Sequence, residues 1–291
     1  MKRKISGHTE IYALLGDPVE HSASCAMHNA AFSSLDIDAC YITLRVKKKD
    51  LKQALASIKA LNLKGVNITI PHKQDCIKYL DKIDAHAKKI GAVNTIMNKN
   101  GKLIGYNTDS GGFLVSLKQD ANFNPRGKSI FIMGAGGAAR AVAYAVAEAK
   151  AKTIFIQDIK NKRAFDLAAA LKQDYQKVQI INISAKNGLK TKKGVASADL
   201  FVNATGIGLK KSDTPVIDVK LLNDKSLVCD LIYNPKEPAL IKAAKRRGLK
   251  TLNGEGLLIH QGIMAFKIWI AKKPDLRIYK RALDNFLKRK K

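Results

Sequence analysis

Four segments place polar side chains where a strand gives way to a turn, the position at which α/β proteins usually hold ligands. In Gly16-Asp17-Pro18-Val19-Glu20-His21-Ser22-Ala23-Ser24, the hydroxyls of Ser22 and Ser24 stand two residues apart at a helix start and can grip a carboxylate. Ser24 as an ordinary helix cap is the plainer alternative, and the two roles are compatible. Gly65-Val66-Asn67-Ile68-Thr69-Ile70-Pro71-His72-Lys73 puts Thr69 in a strand and Lys73 just past its end. Gly91-Ala92-Val93-Asn94-Thr95 makes a third polar edge, and Gly105-Tyr106-Asn107-Thr108-Asp109 carries a carboxylate to another strand end. Turns or caps explain each segment singly. Together they set Ser, Thr, Lys, Asn and Asp at neighbouring strand ends.

A second kind of chemistry is written in Gly134-Ala135-Gly136-Gly137-Ala138-Ala139, which joins the apolar run Ser129–Met133 to an Ala-rich helix, Ala138 to Ala149. Gly134 permits the tight turn, and Gly136 removes the Cβ that would keep backbone amides from a pyrophosphate. The helix N-terminus adds unpaired N–H groups and dipole charge for the anion. Ala139 stands where a third glycine is usual and still allows close helix–sheet packing. Asp158 ends the strand Thr153–Gln157, where a carboxylate can accept from both ribose hydroxyls of NAD and would repel a 2′-phosphate. A strand-end turn carboxylate is the plain alternative. Lys160, Lys162 and Arg163 follow and could neutralise a 2′-phosphate, so the expected cofactor is NAD or NADP, leaning to NAD.

Short β-rich runs alternate with helical patterns along the chain, which is the cadence of an α/β protein. In the first block strands are expected at Ile11–Leu15, Cys40–Leu44, Val66–Ile70, Val93–Met97 and Lys102–Tyr106, with helices at Ser24–Ser34, Asp50–Leu61 and Asp81–Lys89. Asn100-Gly101 is a hairpin signal, so this sheet is expected to be mixed. From Lys128 on, strands at Ser129–Met133, Thr153–Gln157, Val178–Ile183, Leu200–Asn203, Leu227–Leu231 and Lys250–Leu252 predict a Rossmann-type, doubly wound nucleotide-binding domain. The boundary is placed in the connector Asn107 to Asn124. Two last helices, Gly256–Ile270 and Leu276–Lys288, could pack on either domain.

Composition narrows the function classes. The chain has 291 residues, with Lys+Arg 52 against Asp+Glu 24 and a formal net charge of +28. Apart from Leu287-Lys288-Arg289-Lys290-Lys291 the cations are spread out, and they are not interleaved with aromatics. Nucleic acid is therefore not the expected partner; steering of a small anionic substrate and a dinucleotide suits such a field better. No apolar run is long enough for a bilayer span, so no membrane partner is expected. Lys2, Arg3 and Lys4 are followed only by Ile11 to Leu15, too short for a signal-peptide core. Cys25, Cys40, Cys76 and Cys229 are scattered, which suits free thiols in a reducing cytoplasm and opposes a metal site.

The segments above, in their order, resemble the shikimate dehydrogenase family. That family resembles Gly-x-Pro-x-x-His-Ser-x-Ser, Gly-x-Asn-(Val/Ile)-Thr-x-Pro-x-Lys, Gly-Ala-Val-Asn-Thr, Asn-Thr-Asp and Gly-Ala-Gly-Gly-Ala-Ala-Arg, matched here at Gly16–Ser24, Gly65–Lys73, Gly91–Thr95, Asn107–Asp109 and Gly134–Arg140. The likeness continues through Asn203-Ala204-Thr205, Asp230-Leu231-Ile232-Tyr233, Asn253-Gly254-Glu255-Gly256 and Gln261. It implies a substrate-binding catalytic domain over 1–110, completed by helices within 255–291, and an NAD(P)-binding domain over 111–254. It implies that Ser22, Ser24, Thr69 and Tyr233 hold a substrate carboxylate, and that Lys73, Asn94, Asp109 and Gln261 bind ring hydroxyls. Lys73 and Asp109 resemble the catalytic pair. Thr205 and Gly254 join Gly134, Ala135, Gly136, Gly137, Ala138 and Asp158 as expected cofactor-binding positions. Gln261 also stands out on its own, as an amide in the very apolar helix Leu257 to Ile270 that needs partners, either a ligand hydroxyl or core groups.

The implied reaction interconverts 3-dehydroshikimate and shikimate in chorismate and aromatic amino acid biosynthesis. An ammonium beside the ketone stabilises the developing alkoxide and can supply its proton, with Asp109 orienting Lys73; a plain surface ion pair is the alternative. The chain departs from the family at Cys25, where Pro is frequent, at Gly256-Leu257-Leu258 in place of Gly-Met-Leu, and at Asp158-Ile159-Lys160 in place of Asn-Arg-Thr. The last departure raises an NAD-dependent quinate/shikimate dehydrogenase. A non-catalytic basic nucleotide- or nucleic-acid-binding protein is the alternative of another class. A monomer or homodimer is expected.

Overall fold

A computed structural model describes residues 5–210 and 212–289. Lys2, Arg3 and Lys4, and the end of the basic tail at Lys290 and Lys291, lie outside the described residues. The chain divides into two units, one running up to Gly112 and resuming at Ile259, the other spanning Phe113–Leu258.

The first unit is built on a six-stranded sheet of order β2-β1-β3-β5-β6-β4. Its strands are β1 (Glu10–Gly16), β2 (Ala39–Arg45), β3 (Gly65–Ile68), β4 (Lys82–Ile83), β5 (Thr95–Lys99) and β6 (Lys102–Tyr106), with α1 (Ser24–Ser34), α2 (Leu51–Ala60) and α3 (Ala85–Ile90) between them. β1 runs parallel to β2 and β3, whereas β5 is antiparallel to both β3 and β6. The mixed sheet follows from a two-residue hairpin: Asn100 (φ 52°) and Gly101 (φ 79°) are both left-handed, the turn whose twist matches adjoining strands. Leu15, Leu55, Ile58, Val66, Val93 and Ile96 are buried together in this core. Each such side chain contributes about 1.5–3 kcal/mol on leaving water.

Three expectations shift. The helix expected from Asp81 begins only at Ala85, because Asp84 caps it by accepting from His86 and Ala87 N–H, while Lys82–Ile83 pair with β6 as an edge strand. β3 stops at Ile68, so Thr69 lies just past the strand; beyond it the chain turns at Pro71, with His72 N–H bonded back to the Thr69 carbonyl. β5 starts at Thr95, not Val93, because Val93 N–H is drawn to the Lys73 carbonyl, outside the β5 ladder.

The second unit holds β7 (Ser129–Met133), β8 (Thr153–Gln157), β9 (Gln179–Asn182), β10 (Leu200–Asn203), β11 (Leu227–Asp230) and β12 (Lys250–Leu252) in the order β12-β11-β10-β7-β8-β9. Every neighbouring pair is parallel. Helices α5 (Gly137–Glu148), α6 (Asn161–Asp174), α7 (Gly188–Ala196) and α8 (Ala239–Arg246) connect these strands. Burial on both faces explains the unbroken apolar runs of β7 and β10, where Ile130, Phe131, Ile132, Phe201 and Val202 are fully enclosed. The strand order reverses at β7, so the β7–β10 boundary is the switch point where such sheets bind ligands. Helices α4 (Asp109–Ala121) and α9 (Glu255–Ile270) cross the division between units, and α10 (Leu276–Lys288) packs on α1. Among the described residues no helix is long and apolar enough to cross a membrane.

The first unit also encloses an imidazole. His28 is wholly buried on α1, stacked on Tyr41 at 4.5 Å between ring centroids, with its Nδ1 3.0 Å from the Tyr279 hydroxyl on α10. Burial drives its pKa down from 6.5 to about 3. The unfolded chain therefore binds a proton that the folded chain refuses, so stability is complete above about pH 6.5 and drains as pH falls toward 3. His28→Phe is expected to flatten that acid limb. In melting temperatures measured from pH 7 to pH 4, the gap between wild type and variant should change steadily in the variant's favour; parallel curves would count against a neutral buried imidazole.

Candidate active site

Lys73 and Asp109 come from separate segments and meet in the first unit. Lys73 follows the turn after β3, and Asp109 opens α4 directly after β6. The Lys73 ammonium donates to Asp109 Oδ2 at 2.6 Å, with the two side chains only 14% and 9% exposed. The pair is thus not the solvated surface pair offered as the plain alternative. Asn94, in the turn before β5, donates through Nδ2 to Asp109 Oδ1 (2.8 Å), Thr108 Oγ1 (2.9 Å) and Gln261 Oε1 (3.2 Å). Lys73 and Asn94 thereby hold one carboxylate oxygen each, and Gln261 is tied to the same cluster. The backbone repeats the connection, with Val93 N–H on the Lys73 carbonyl and Asn94 N–H on the Tyr106 carbonyl.

Gln261 reaches this cluster because α4 and α9 approach closely at a glycine. A Cβ on Gly112 would come within 2.7 Å of the Gln261 backbone nitrogen. The amide expected to need partners has them in Asn94 and Thr108, whose hydroxyl lies 3.4 Å from Oε1.

The three hydroxyl residues lie along adjacent turns. Gly16 ends β1 against Thr69, and Asp17 N–H bonds to the Ile70 carbonyl, so the segment bearing Ser22 and Ser24 starts beside Thr69. Ser24 does not cap α1; it is the first helical residue, and its N–H bonds to Ser22 Oγ at 3.2 Å. Arg45, at the end of β2, ties this segment down through Asp17 at 2.7 Å. Tyr233 lies beyond β11, in the other unit.

In the second unit Gly134 has φ +111°, a left-handed turn, and a Cβ there would meet the Ala204 carbonyl oxygen at 2.8 Å. Gly136 precedes the first turn of α5, and a Cβ on it would meet no protein atom within 4 Å. Ala139 is fully buried, which suits the close packing asked of it. Backbone amides of Gly137 and Ala138 at a helix start, with open space over Gly136, fit a dinucleotide pyrophosphate. Asp158 is bound into this loop: Oδ2 accepts from Ala135 N–H and Oδ1 from Lys160 N–H, each at 2.8 Å. Thr205 bonds through both N–H and Oγ1 to Asn203 Oδ1. Gly254 runs so close to the Leu231 carbonyl that a Cβ would clash with it.

Several supporting residues stand in the matched motifs without an expected role of their own. Thr108 binds Asn94 Oδ1 through its N–H at 2.8 Å. Asn67 bonds to the Asn94 carbonyl and to Thr95, and accepts from the buried Tyr41 hydroxyl at 2.7 Å. An asparagine inside the apolar stretch Val66–Ile68 was the available signal. In the second unit Asn203 donates to Asp230 at 3.0 Å, and burial pushes the Asp230 carboxyl up to about 6.

A doubly wound parallel sheet with a glycine loop at its switch point, carried with a second α/β unit that encloses an ammonium–carboxylate pair, is the build of a dinucleotide-linked dehydrogenase. The family described as Shikimate dehydrogenase substrate binding domain matches residues 14–96. Shikimate dehydrogenase (NADP(+)) of Desulforamulus reducens is 45% identical over 268 residues, covering 91% of each chain. Among solved structures, Shikimate 5-dehydrogenase from Listeria monocytogenes in complex with shikimate and NAD is 34% identical with a TM-score of 0.87, covering 97% of this chain and 99% of that one. Quinate dehydrogenase from Corynebacterium glutamicum in complex with NAD is 29% identical with a TM-score of 0.86, covering 95% and 99%. The chain belongs to the shikimate dehydrogenase family.

Proposed function

We propose that the protein catalyses the reversible NAD(P)-linked reduction of 3-dehydroshikimate to shikimate, in the chorismate route to the aromatic amino acids. The observation that carries this reading is the enclosed Lys73–Asp109 pair, 2.6 Å apart and bonded through Asn94 to Gln261. The first unit binds the substrate and the second the dinucleotide, through Gly134, Ala135, Gly136, Gly137, Ala138 and Asp158, with Thr205 and Gly254 shaping the neighbouring turns. When bound, the dinucleotide supplies or takes the hydride at the substrate's C3. Ser22, Ser24 and Thr69, with Tyr233, hold the carboxylate. Asn94, Gln261, Lys73 and Asp109 fix the ring oxygens. In the reducing direction Lys73 gives its proton to the ketone oxygen as negative charge grows there, and Asp109 keeps the ammonium aimed and balanced. In the oxidising direction Lys73 takes the hydroxyl proton back.

Steady-state turnover of shikimate and of quinate, each with NAD and with NADP, tests the reading. Shikimate is expected to be the better substrate. Quinate oxidation with NAD at equal efficiency would shift the assignment to a quinate/shikimate dehydrogenase, a reading favoured by Asp158 standing where Asn begins the Asn-Arg-Thr pattern. The protein is read as cytoplasmic, which its four free thiols support, and as a monomer or homodimer.

A net charge of +28 is expected to steer the anionic acid and the dinucleotide toward the enzyme. On that basis kcat/KM for shikimate falls as sodium chloride is raised from 0.01 to 0.3 M, a range over which the screening length shrinks from about 30 Å to below 8 Å. An unchanged kcat/KM would leave the basic surface without a role in capture.

A further inference from the structure

At the other end of the first unit's strands, a cavity of about 590 Å³ opens beside the start of β1, the residues before β3, the end of β5 and the end of α9. The pairing of β1 with β3 and of β3 with β5 brings Glu10, Lys64 and Met97 to this common edge. Lys64 precedes Thr69 by five positions, roughly 16 Å of extended chain, so the cavity lies away from the hydroxyl-bearing turns. Its size falls within the range of about 300–1,000 Å³ usual for small-molecule sites.

The lining has a definite chemistry. Three lysines, Lys64, Lys99 and Lys272, line it against one acidic residue, Glu10, whose carboxylate already accepts a hydrogen bond from the Tyr12 hydroxyl at 3.1 Å; the Lys64 ammonium donates to Asn62 Oδ1 at 3.4 Å. Trp269 and Met97 provide the apolar wall. The indole is fixed in place: Nε1 donates to the Ile96 carbonyl at 3.0 Å, and the ring packs on Tyr12 at 5.2 Å between centroids. A Cβ on Gly65 would stand 2.4 Å from that nitrogen, so the absence of a side chain there is what lets the indole lie over β3. A rigid aromatic wall beside clustered ammonium groups selects a ligand with a flat apolar body and a negative charge.

We infer that this cavity binds a small organic anion with an aromatic ring, its ring against Trp269 and Met97 and its charge on Lys64, Lys99 and Lys272. None of these residues belongs to the candidate active site, and the inference is independent of the reaction proposed above. Trp269 is the one tryptophan of the chain, so its emission reports on the cavity wall.

The full-length protein is titrated with phenyl phosphate at low salt, followed by tryptophan emission and by calorimetry. A saturable signal is expected, with affinity at least tenfold weaker for inorganic phosphate and for phenol, which each carry half of the recognition. The combined Lys64→Ala, Lys99→Ala, Lys272→Ala variant should also bind at least tenfold more weakly while keeping its turnover. Lys272→Glu alone, on an exposed position, gives the same direction should the triple variant fold poorly. Binding should persist in Lys73→Ala. No saturable signal by either method, a signal that survives the lysine replacements, or one that disappears in Lys73→Ala would overturn the inference.

Discussion

Lys73→Ala is expected to lower kcat by ~10²–10⁴, the usual range for a lost general acid. The Lys73 side chain is 14% exposed and its ammonium is hydrogen-bonded at 2.6 Å to Asp109, whose side chain is 9% exposed, so bulk water is poorly placed to replace it. KM should rise as well, since Lys73 also binds a ring oxygen, but by less than kcat falls. Removing the cation leaves Asp109 with the Asn94 amide as a remaining donor. Breaking an enclosed pair in this way costs up to about 3–5 kcal/mol, so the melting temperature has to be read beside the rate. A thermodynamic cycle separates the two effects. If the side chains act as one unit, Lys73→Ala and Asp109→Ala combined lose scarcely more activity than either alone. Lys73→Arg keeps the charge but holds its proton too tightly to give it up, and should restore stability without restoring kcat. Near-normal kcat in the Ala variant would remove Lys73 from the chemistry.

The second large effect concerns the cofactor. Wild-type kcat/KM is expected to be higher with NAD than with NADP, and Asp158→Ser should raise the NADP-to-NAD ratio by ~10–100-fold. A carboxylate about 4 Å from one phosphate charge repels it by about 4 kcal/mol at an effective dielectric of 20, and screening at a half-exposed turn trims this to roughly 1.4–2.8 kcal/mol. Lys160, Lys162 and Arg163 are then left to hold the added phosphate. Asp158 has a second task, since its oxygens bind Ala135 and Lys160 N–H and so brace the glycine loop. Damage to that bracing would weaken both cofactors alike, whereas loss of the charge changes their ratio. A wild-type preference for NADP, the cofactor for which the Desulforamulus reducens relative is named, would overturn the charge argument.

Much of the candidate site was legible because Asn94 and Asp109 stand at strand ends within motifs that resemble the family's. Gln261 was legible on its own, as an amide in an apolar helix, since a buried polar group needs a partner. The glycine loop was legible too, since Gly134 adopts a backbone angle that other residues resist. Less legible were the elements whose ends depend on distant chain. Asp81–Lys89 has helical composition throughout, yet its first residues pair with β6, and only Asp84 marks where the helix can start. Thr108 and Asn67 stand in the matched motifs, yet each looks locally like a turn or strand residue and so draws no role from the sequence. Their importance lies in hydrogen bonds to Asn94, which is 14 and 27 positions away respectively.

Composition, strand–helix alternation and five short motifs were enough to establish an α/β chain with a dinucleotide loop, because hydrophobic period and glycine chemistry act within a few residues. Tertiary structure alone decided that Lys73 and Asp109, 36 positions apart, share one enclosed hydrogen bond, and that Asp158 is built into the glycine loop. Those facts depend on which strands lie side by side and how closely α4 and α9 approach. Such contacts arise from packing between segments far apart in the chain, and no local pattern of residues records them.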